Sequence, residues 1–143
     1  MKLKGISLFA NIGVAEAYFK GIGINVCIAN EIIKSRANLY SEIYPETEVI
    51  EGDFTDVDVF NKIKSKSLKE KIDFIMATPP CQGMSTAGRQ EKNDKRNDLI
   101  IPTIKFIKEL NTKYVLIENV PQFLKTTVIY KNDEINILEL INK

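Results

Sequence analysis

The sequence predicts an α/β domain built on a doubly wound, mainly parallel sheet. Short apolar runs recur along the 143 residues, at 5–9, 24–29, 47–50, 72–77 and 114–117. Longer segments with helical spacing of apolar residues lie between most of them. Strands separated by helices call for parallel pairing and right-handed crossovers. In such a sheet, ligands bind beyond the carboxyl ends of the strands, near the point where strand order reverses. Each strand end is therefore a place to look for chemistry.

The first strand, 5–9, leads into a segment at 13–20 that reads as a helix stopped by Gly21. The second strand, 24–29, precedes a helix over 32–44 with Ile33, Ala37, Tyr40 and Tyr44 on one face and Pro45 as its stop. A short third strand at 47–50 is followed by a helix opened by Thr55, with Asp58 three residues on as a capping-box-like partner. Val57, Phe60, Ile63 and Leu68 are that helix's apolar residues. The fourth strand, 72–77, empties into Pro79-Pro80-Cys81, and residues 87–98 read as a polar loop. A helix at 101–110 carries Pro102 in its first turn, where the missing N–H is not needed. The fifth strand is 114–117, and a weak helical pattern covers 132–142. Repeats, low-complexity tracts and a second domain are not visible in the sequence.

Composition narrows the chemistry. The chain is long enough for one domain with a real core. Its net charge of +1 provides no strong field to steer nucleic acid, though it does not exclude it. No apolar stretch approaches the length of a membrane span. Residues 1–17 faintly mimic a signal peptide, but Asn11 and Gly13 interrupt the apolar segment. The absence of histidine removes Ser-His-Asp chemistry, Cys-His dyads and His-ligated zinc together. No metal site is expected. Cys27 falls in the second strand and Cys81 in the loop after the fourth; those strands flank the first one and sit about 10 Å apart, too far for a disulfide, which needs Cα atoms within about 7 Å. Cys27 reads as a small core residue, and a reducing, cytoplasmic compartment fits.

Cys81 stands in the most informative segment, Thr78-Pro79-Pro80-Cys81-Gln82-Gly83-Met84-Ser85. Each proline fixes its own φ and pushes the preceding residue to extended geometry. A thiol held rigidly at a strand's carboxyl end is where a nucleophile would sit. A buried structural cysteine beside a proline turn fits this loop equally well.

The other strand ends carry weaker signals. The first closes on Phe9-Ala10-Asn11-Ile12-Gly13, where Gly13 permits close backbone approach to a ligand and Asn11 tolerates the left-handed region. A plain tight turn is the alternative. Glu31 ends the second strand at a spacing from Gly13 near that of an acidic residue meeting ribose hydroxyls in dinucleotide folds. It is also a plain acid at a helix N-terminus. The third strand ends in Gly52-Asp53-Phe54. Asp53 could accept from an exocyclic amine with Phe54 beside the ring, or Gly-Asp could be a turn before the Thr55 cap. Glu118-Asn119-Val120-Pro121 ends the fifth strand. If strands four and five are neighbours, a carboxyl stands near a thiol, a constellation suited to reading a base and attacking it. A solvated strand-end acid and a turn asparagine explain the same residues.

Together these segments resemble the amino-terminal part of the cytosine-C5 DNA methyltransferases. Residues 7–13 are similar to the family's cofactor loop. Glu31, Asp53, Pro79-Pro80-Cys81-Gln82 and Glu118-Asn119-Val120 fall in the family's order and spacing, to about Leu124. The polar stretch with Arg89, Asp94, Arg96 and Leu99 looks like the catalytic loop that closes over flipped DNA. The resemblance implies a Rossmann-like fold that binds S-adenosylmethionine, incomplete at its carboxyl end. It implies Cys81 and Glu118 as catalytic, and Phe9, Asn11, Gly13, Glu31, Asp53, Phe54 and Pro79 around the cofactor. Pro80, Gln82, Ser85, Arg89, Arg96, Asn119 and Val120 would face the substrate, with Arg89, Lys92, Lys95 and Arg96 as phosphate-contacting charges.

By this resemblance the Cys81 thiolate attacks C6 of a flipped cytosine, and C5 takes a methyl group. Glu118 binds N3 and the exocyclic amine. Two departures stand out. Asn11 and Val14 occupy places where the family usually has glycine. The family's later arginine motif, target-recognition region and final helix find no counterpart. The expectation is the first half of a catalytic domain, inactive alone, acting on DNA and completed by a carboxyl-terminal half from a longer chain or a second polypeptide, with no membrane role. An amino-methyltransferase, a tRNA cytosine-C5 methyltransferase and a non-catalytic cofactor-binding fragment remain open. Apolar surface is expected where the missing half would pack.

Overall fold

A computed structural model describes residues 2–80 and 99–142. Five parallel strands form one sheet in the order β3-β2-β1-β4-β5. They are β1 (Leu3–Leu8), β2 (Ile24–Glu31), β3 (Glu48–Glu51), β4 (Phe74–Ala77) and β5 (Tyr114–Ile117). Strand order reverses between β1 and β4, so the predicted doubly wound sheet, with its switch point beside β1, is what forms. Side chains alternate across the sheet as strand geometry requires. Ile6, Leu8 and Ile28 face α2 (Val57–Glu70) and α3 (Ile100–Leu110), in a core completed by Ile50, Phe60, Ile63, Ile75 and Phe106. Ala29 turns to the opposite face, where Ala10 and Tyr40 of α1 (Lys34–Ile43) cover it.

Local chemistry sets the helix ends. The N-cap of α2 is Asp56, whose Oδ1 accepts the N–H groups of Asp58 and Val59 at 2.9 and 3.1 Å. The expected Thr55 cap with an Asp58 partner is therefore corrected by one residue. Phe60, Ile63 and Ser67 form the buried stripe of α2, while Val57 and Leu68 are exposed. The helix expected at 32–44 begins at Lys34, because Ile33 stays extended. Tyr44 ends it just before Pro45.

Two elements differ in kind from the sequence expectation. Residues 13–20 form successive turns instead of a helix, followed by a 3-10 turn (Lys20–Ile22) capped by Gly23, φ 86°, rather than by Gly21. The burial pattern is the reverse of an amphipathic helix. Val14 and Tyr18 point to solvent, and Glu16 is buried against the sheet. The segment is pinned at one end by the Tyr44 hydroxyl, which donates to Gly13 O at 2.6 Å. At the other end Ile24 N–H donates to Phe19 O at 2.9 Å.

Residues 132–142 are the second difference. A hairpin of β6 (Thr127–Tyr130) and β7 (Asp133–Asn136) precedes a single short helix, α4 (Ile137–Ile141). Lys131 and Asn132 both have positive φ, 54° and 72°, the requirement of a tight type I′ turn. With a 3-10 segment (Pro121–Lys125), this unit packs Phe123, Val128, Ile135, Ile137 and Leu140 against Ile100 and Ile104. The face of β5 carries exposed Tyr114, Val115 and Leu116, as expected for an uncovered part of the sheet. Cys27 is half-buried beside the main core and its thiol is free, with burial pushing its pKa up. Among the described residues, no helix is long and apolar enough to cross a membrane.

Candidate functional site

The ends of the five strands are stitched into one rim by backbone and side-chain hydrogen bonds. Ala10 N–H donates to Asn30 O, Gly52 N–H to Glu31 O, Thr78 N–H to Leu8 O and Glu118 N–H to Ala77 O, at 2.9–3.2 Å. The Thr78 hydroxyl donates to Phe9 O at 3.0 Å. Buried Asn30 donates through Nδ2 to Ile50 O and Gly52 O, both at 3.0 Å, and so fixes the end of β3 against β2. Asn30 and Thr78 were not singled out by sequence. Their signal, a polar residue directly at a strand end, is too common to stand out.

Beyond this rim lies a cleft of about 820 Å³, within the size range of small-molecule sites. It spans the carboxyl ends of all five strands, and most of the residues predicted for the site line it. Phe9, Asn11, Glu31, Asp53, Phe54 and Pro79 are there, as are Pro80, Glu118, Asn119 and Val120. Ile32, Ile33 and Arg36, not foreseen, complete one wall. Cys81, Gln82, Ser85, Arg89 and Arg96, with Lys92, Asp94 and Lys95, lie outside the described residues.

Several roles are refined by the geometry. Gly13 does not line the cleft. It has φ 84°, and the Tyr40 and Tyr44 rings stand where a Cβ would project. Phe54 is 2% exposed and stacks edge-on against Phe9 and Phe106, so it is a core residue whose margin reaches the cleft. Asp53 accepts at Oδ1 from both Thr55 N–H and the Thr55 hydroxyl, at 2.8 and 2.7 Å. The turn reading of Gly-Asp is thus satisfied, and Asp53 still lines the cleft. Asn119 donates through Nδ2 to Pro79 O and accepts at Oδ1 from Val120 N–H, both at 2.9 Å. Its carboxamide ties the β4 and β5 loops together.

Glu31 has the most constrained position. It is buried, and its oxygens hold two backbone amides, Oε2 accepting from Asn11 N–H at 2.9 Å and Oε1 from Ile33 N–H at 2.8 Å. One carboxylate thus fixes the loop after β1 and the entry to α1. The loop it holds is strained, since Phe9 and Asn11 have φ of 60° and 51°. Non-glycine residues there cost about 1–3 kcal/mol each and cluster at functional sites.

The residues present fit S-adenosylmethionine. Each carboxylate oxygen accepts more than one hydrogen bond, so Glu31 retains capacity for ribose hydroxyls. Among the described residues, Glu31, Asp53 and Glu118 set three carboxylates against one guanidinium, Arg36, around the cleft, a local balance that suits a cationic ligand. Among the described residues no His/Cys/Asp/Glu cluster could hold a metal.

A second group of polar side chains lies apart from the cleft lining. Glu16 and Tyr40 are buried, and their side-chain oxygens have no hydrogen-bond partner among the described residues. Burial pushes the Glu16 carboxyl above its usual range, opposed more weakly by the nearby Ser7 and Tyr40 hydroxyls. Burial also raises the Tyr40 phenol well beyond its ordinary value.

Comparison with known proteins supports the same reading. The family model described as C-5 cytosine-specific DNA methylase matches residues 3–139. The Type II methyltransferase M1.HgaI of Avibacterium volantium is 44% identical over 135 residues, covering 91% of this chain and 38% of that protein. A putative DNA modification methyltransferase encoded within an E. coli prophage superposes with a TM-score of 0.68 at 26% identity, over 86% of this chain and 33% of that one. Spodoptera frugiperda DNMT2 gives 0.67 at 25% identity, over 87% and 38%. The chain therefore spans well under half the length of these relatives. S-adenosylmethionine is the cofactor of the family, and the sheet is of the Rossmann-like methyltransferase type. A family match over nearly the whole chain, joined to 44% identity with a member over 91% of it, places this chain in the C-5 cytosine-specific DNA methylase family.

Proposed function

We propose that this chain is the amino-terminal part of a catalytic domain that methylates C5 of cytosine in DNA. One observation carries the proposal. Pro80 and Glu118 line the same cleft, and Asn119 fixes the Pro79 carbonyl to the β5 loop. Cys81 follows Pro80 directly in the chain and is the proposed nucleophile, with Glu118 as the proposed base-reading carboxyl.

S-adenosylmethionine supplies an electrophilic methyl group on a cationic sulfonium. The chain's residues do the rest. Glu31 holds the ribose hydroxyls and keeps the β1 loop in place. Asp53 accepts from the adenine amine. Glu118 hydrogen-bonds N3 and the exocyclic amine of a flipped cytosine, favouring protonation as sulfur adds. The Cys81 thiolate forms a bond to C6, and the displaced π electrons make C5 nucleophilic. After methylation, loss of the C5 proton and breakage of the C6–S bond restore the ring and free the thiolate. The thiol has no histidine to activate it, and its activation belongs to the rest of the catalytic domain. That part would come from a longer chain or a second polypeptide, and the present residues alone would be inactive.

The test pairs binding with chemistry. Calorimetry should show S-adenosylmethionine binding at the cleft. Methyl transfer by the completed enzyme, offered duplex DNA and transfer RNA in parallel, should appear on DNA cytosine and vanish with Cys81→Ser. Activity surviving that substitution would refute the thiol mechanism and favour an amino-methyltransferase. Transfer to RNA alone would move the substrate class.

A further inference from the structure

We propose that the pocket beside the turns at 16–20 is a binding site for a guanidinium group on a short apolar stem, with the Glu16 carboxylate as its counter-ion. The pocket has a volume of about 350 Å³ and shares no lining residue with the cleft at the strand ends. It lies between those turns, the amino end of β2 and the loop after α1. Phe19, Val26, Ile43, Tyr44 and Pro45 give it apolar walls, and Glu16 lines it as well.

Glu16 is the observation that points to a ligand. It is 3% exposed, and neither carboxylate oxygen has a hydrogen-bond partner among the described residues. A carboxyl in that state has given up its hydration with nothing in return. The Tyr40 hydroxyl, buried and unpartnered too, stands near it. A planar guanidinium meets both carboxylate oxygens at once through paired N–H donors. It is more weakly hydrated than an ammonium and stacks on aromatic faces, which Phe19 and Tyr44 supply. The cation already on the pocket lining, Lys20, is engaged elsewhere, pairing with Glu46 at 2.9 Å. That pair links the turns to the loop after α1. Its side chains are 79% and 70% exposed, so it is weak and parts readily.

The simpler reading is a neutral acid that the Ser7 and Tyr40 hydroxyls satisfy by small rotations, with no ligand. Glu16→Gln keeps the shape and removes the charge, so it separates the two. Calorimetry on the wild-type and Glu16→Gln chains would use n-butylguanidinium and n-butylammonium, with thermal melting to confirm folding. We expect n-butylguanidinium to bind the wild type more tightly than n-butylammonium does. Glu16→Gln should weaken it about tenfold or more, the order for hydrogen bonds to a charged group. Glu118→Gln should leave it unchanged. No binding by the wild type, or equal binding by the Glu16→Gln chain, overturns the site. Loss with Glu118→Gln puts the cation in the cleft and overturns it too, and a preference for the ammonium overturns the guanidinium assignment. The same titration on the completed enzyme separates two sources of this chemistry, both of which keep the site: retained binding marks a free small molecule, lost binding an arginine side chain from the rest of the protein.

Discussion

Glu31→Ala removes both anchors of the β1 loop at once. The carboxylate holds Asn11 N–H at 2.9 Å and Ile33 N–H at 2.8 Å. Hydrogen bonds to charged groups contribute about 1.5–3 kcal/mol each, which bounds the loss at about 3–6 kcal/mol. Asn11 is exposed, so water replaces part of that interaction and lowers the expected cost to about 2–4 kcal/mol. Against the 5–15 kcal/mol typical of a whole domain, that is a large share. Release also lets Phe9 and Asn11 leave the left-handed region, so the loop relaxes rather than waiting in place. Urea unfolding followed by circular dichroism should show the midpoint shift, and hydrogen exchange should quicken at the Asn11 and Ile33 amides together. Cofactor affinity should fall as a consequence. If Glu31→Ala abolishes cofactor binding while stability and both amides stay as in the wild type, the latch argument is wrong and the carboxylate acts on the ligand alone.

Glu16→Gln should stabilise the fold at neutral pH. The folded carboxyl has a raised pKa, so the native state binds its proton more tightly than the unfolded chain does. Wild-type stability therefore declines as pH climbs from the ordinary glutamate range, about 4.3, through the raised native value. Melting temperatures across pH should show the variant's advantage at pH 7 and none below about pH 4; a pH-independent difference would sink this account. Gly13→Ala places a methyl group against the Tyr44 ring and 2.9 Å from Tyr40 Cε2, at φ 84°. It should cost about 2 kcal/mol or more, partly recovered by adding Tyr44→Ala, and a fully stable single variant would contradict the packing. Asp56→Ala should cost about 1 kcal/mol, up to 2, as the loss of an N-cap. Thr55→Ala should cost less, since Thr55 only bonds Asp53; the reverse order in thermal melts would restore Thr55 as the cap.

The parts of this molecule that were legible in sequence are those governed by local pattern. Ile28, Ala29 and Ile75 fall in apolar runs short enough to be buried strands, and all five strands form where such runs occur. Pro45 and Pro102 mark helix ends by removing an N–H and restricting φ. The segment at 13–20 was misleading because Val14, Ala17 and Tyr18 mimic helical spacing. What decides it is tertiary: the Tyr44 hydroxyl holds Gly13 O from 31 residues away. The hairpin did carry a signal, the β-branched and aromatic run Thr127, Val128, Ile129 and Tyr130. The apolar spacing of Ile135, Leu138 and Ile141 obscured it. At the cleft, the strand-end positions of Glu31 and Glu118 are legible in sequence, and both residues line it. That Glu31 grips two backbone amides was not legible, since those partners depend on a loop geometry that no spacing encodes.

The unit formed by residues 121–142 has a consequence for how the chain opens. Its contacts are mostly short in sequence, closed by a two-residue turn and sealed by its own small core against α3. The parallel sheet is built from distant partners, such as Asp73 N–H donating to Lys4 O. Local hairpins form in about 1–10 μs, whereas non-local pairings are slow. The two parts should therefore behave as separate cooperative units, with the hairpin unit able to exchange its amides through a sub-global opening that leaves β1–β4 closed. Because Val120 and Pro121 join that unit to the β5 loop, each such opening would loosen one end of the rim that Asn119 holds. The β4–β5 side of the cleft would then breathe on a different timescale from the β2–β3 side.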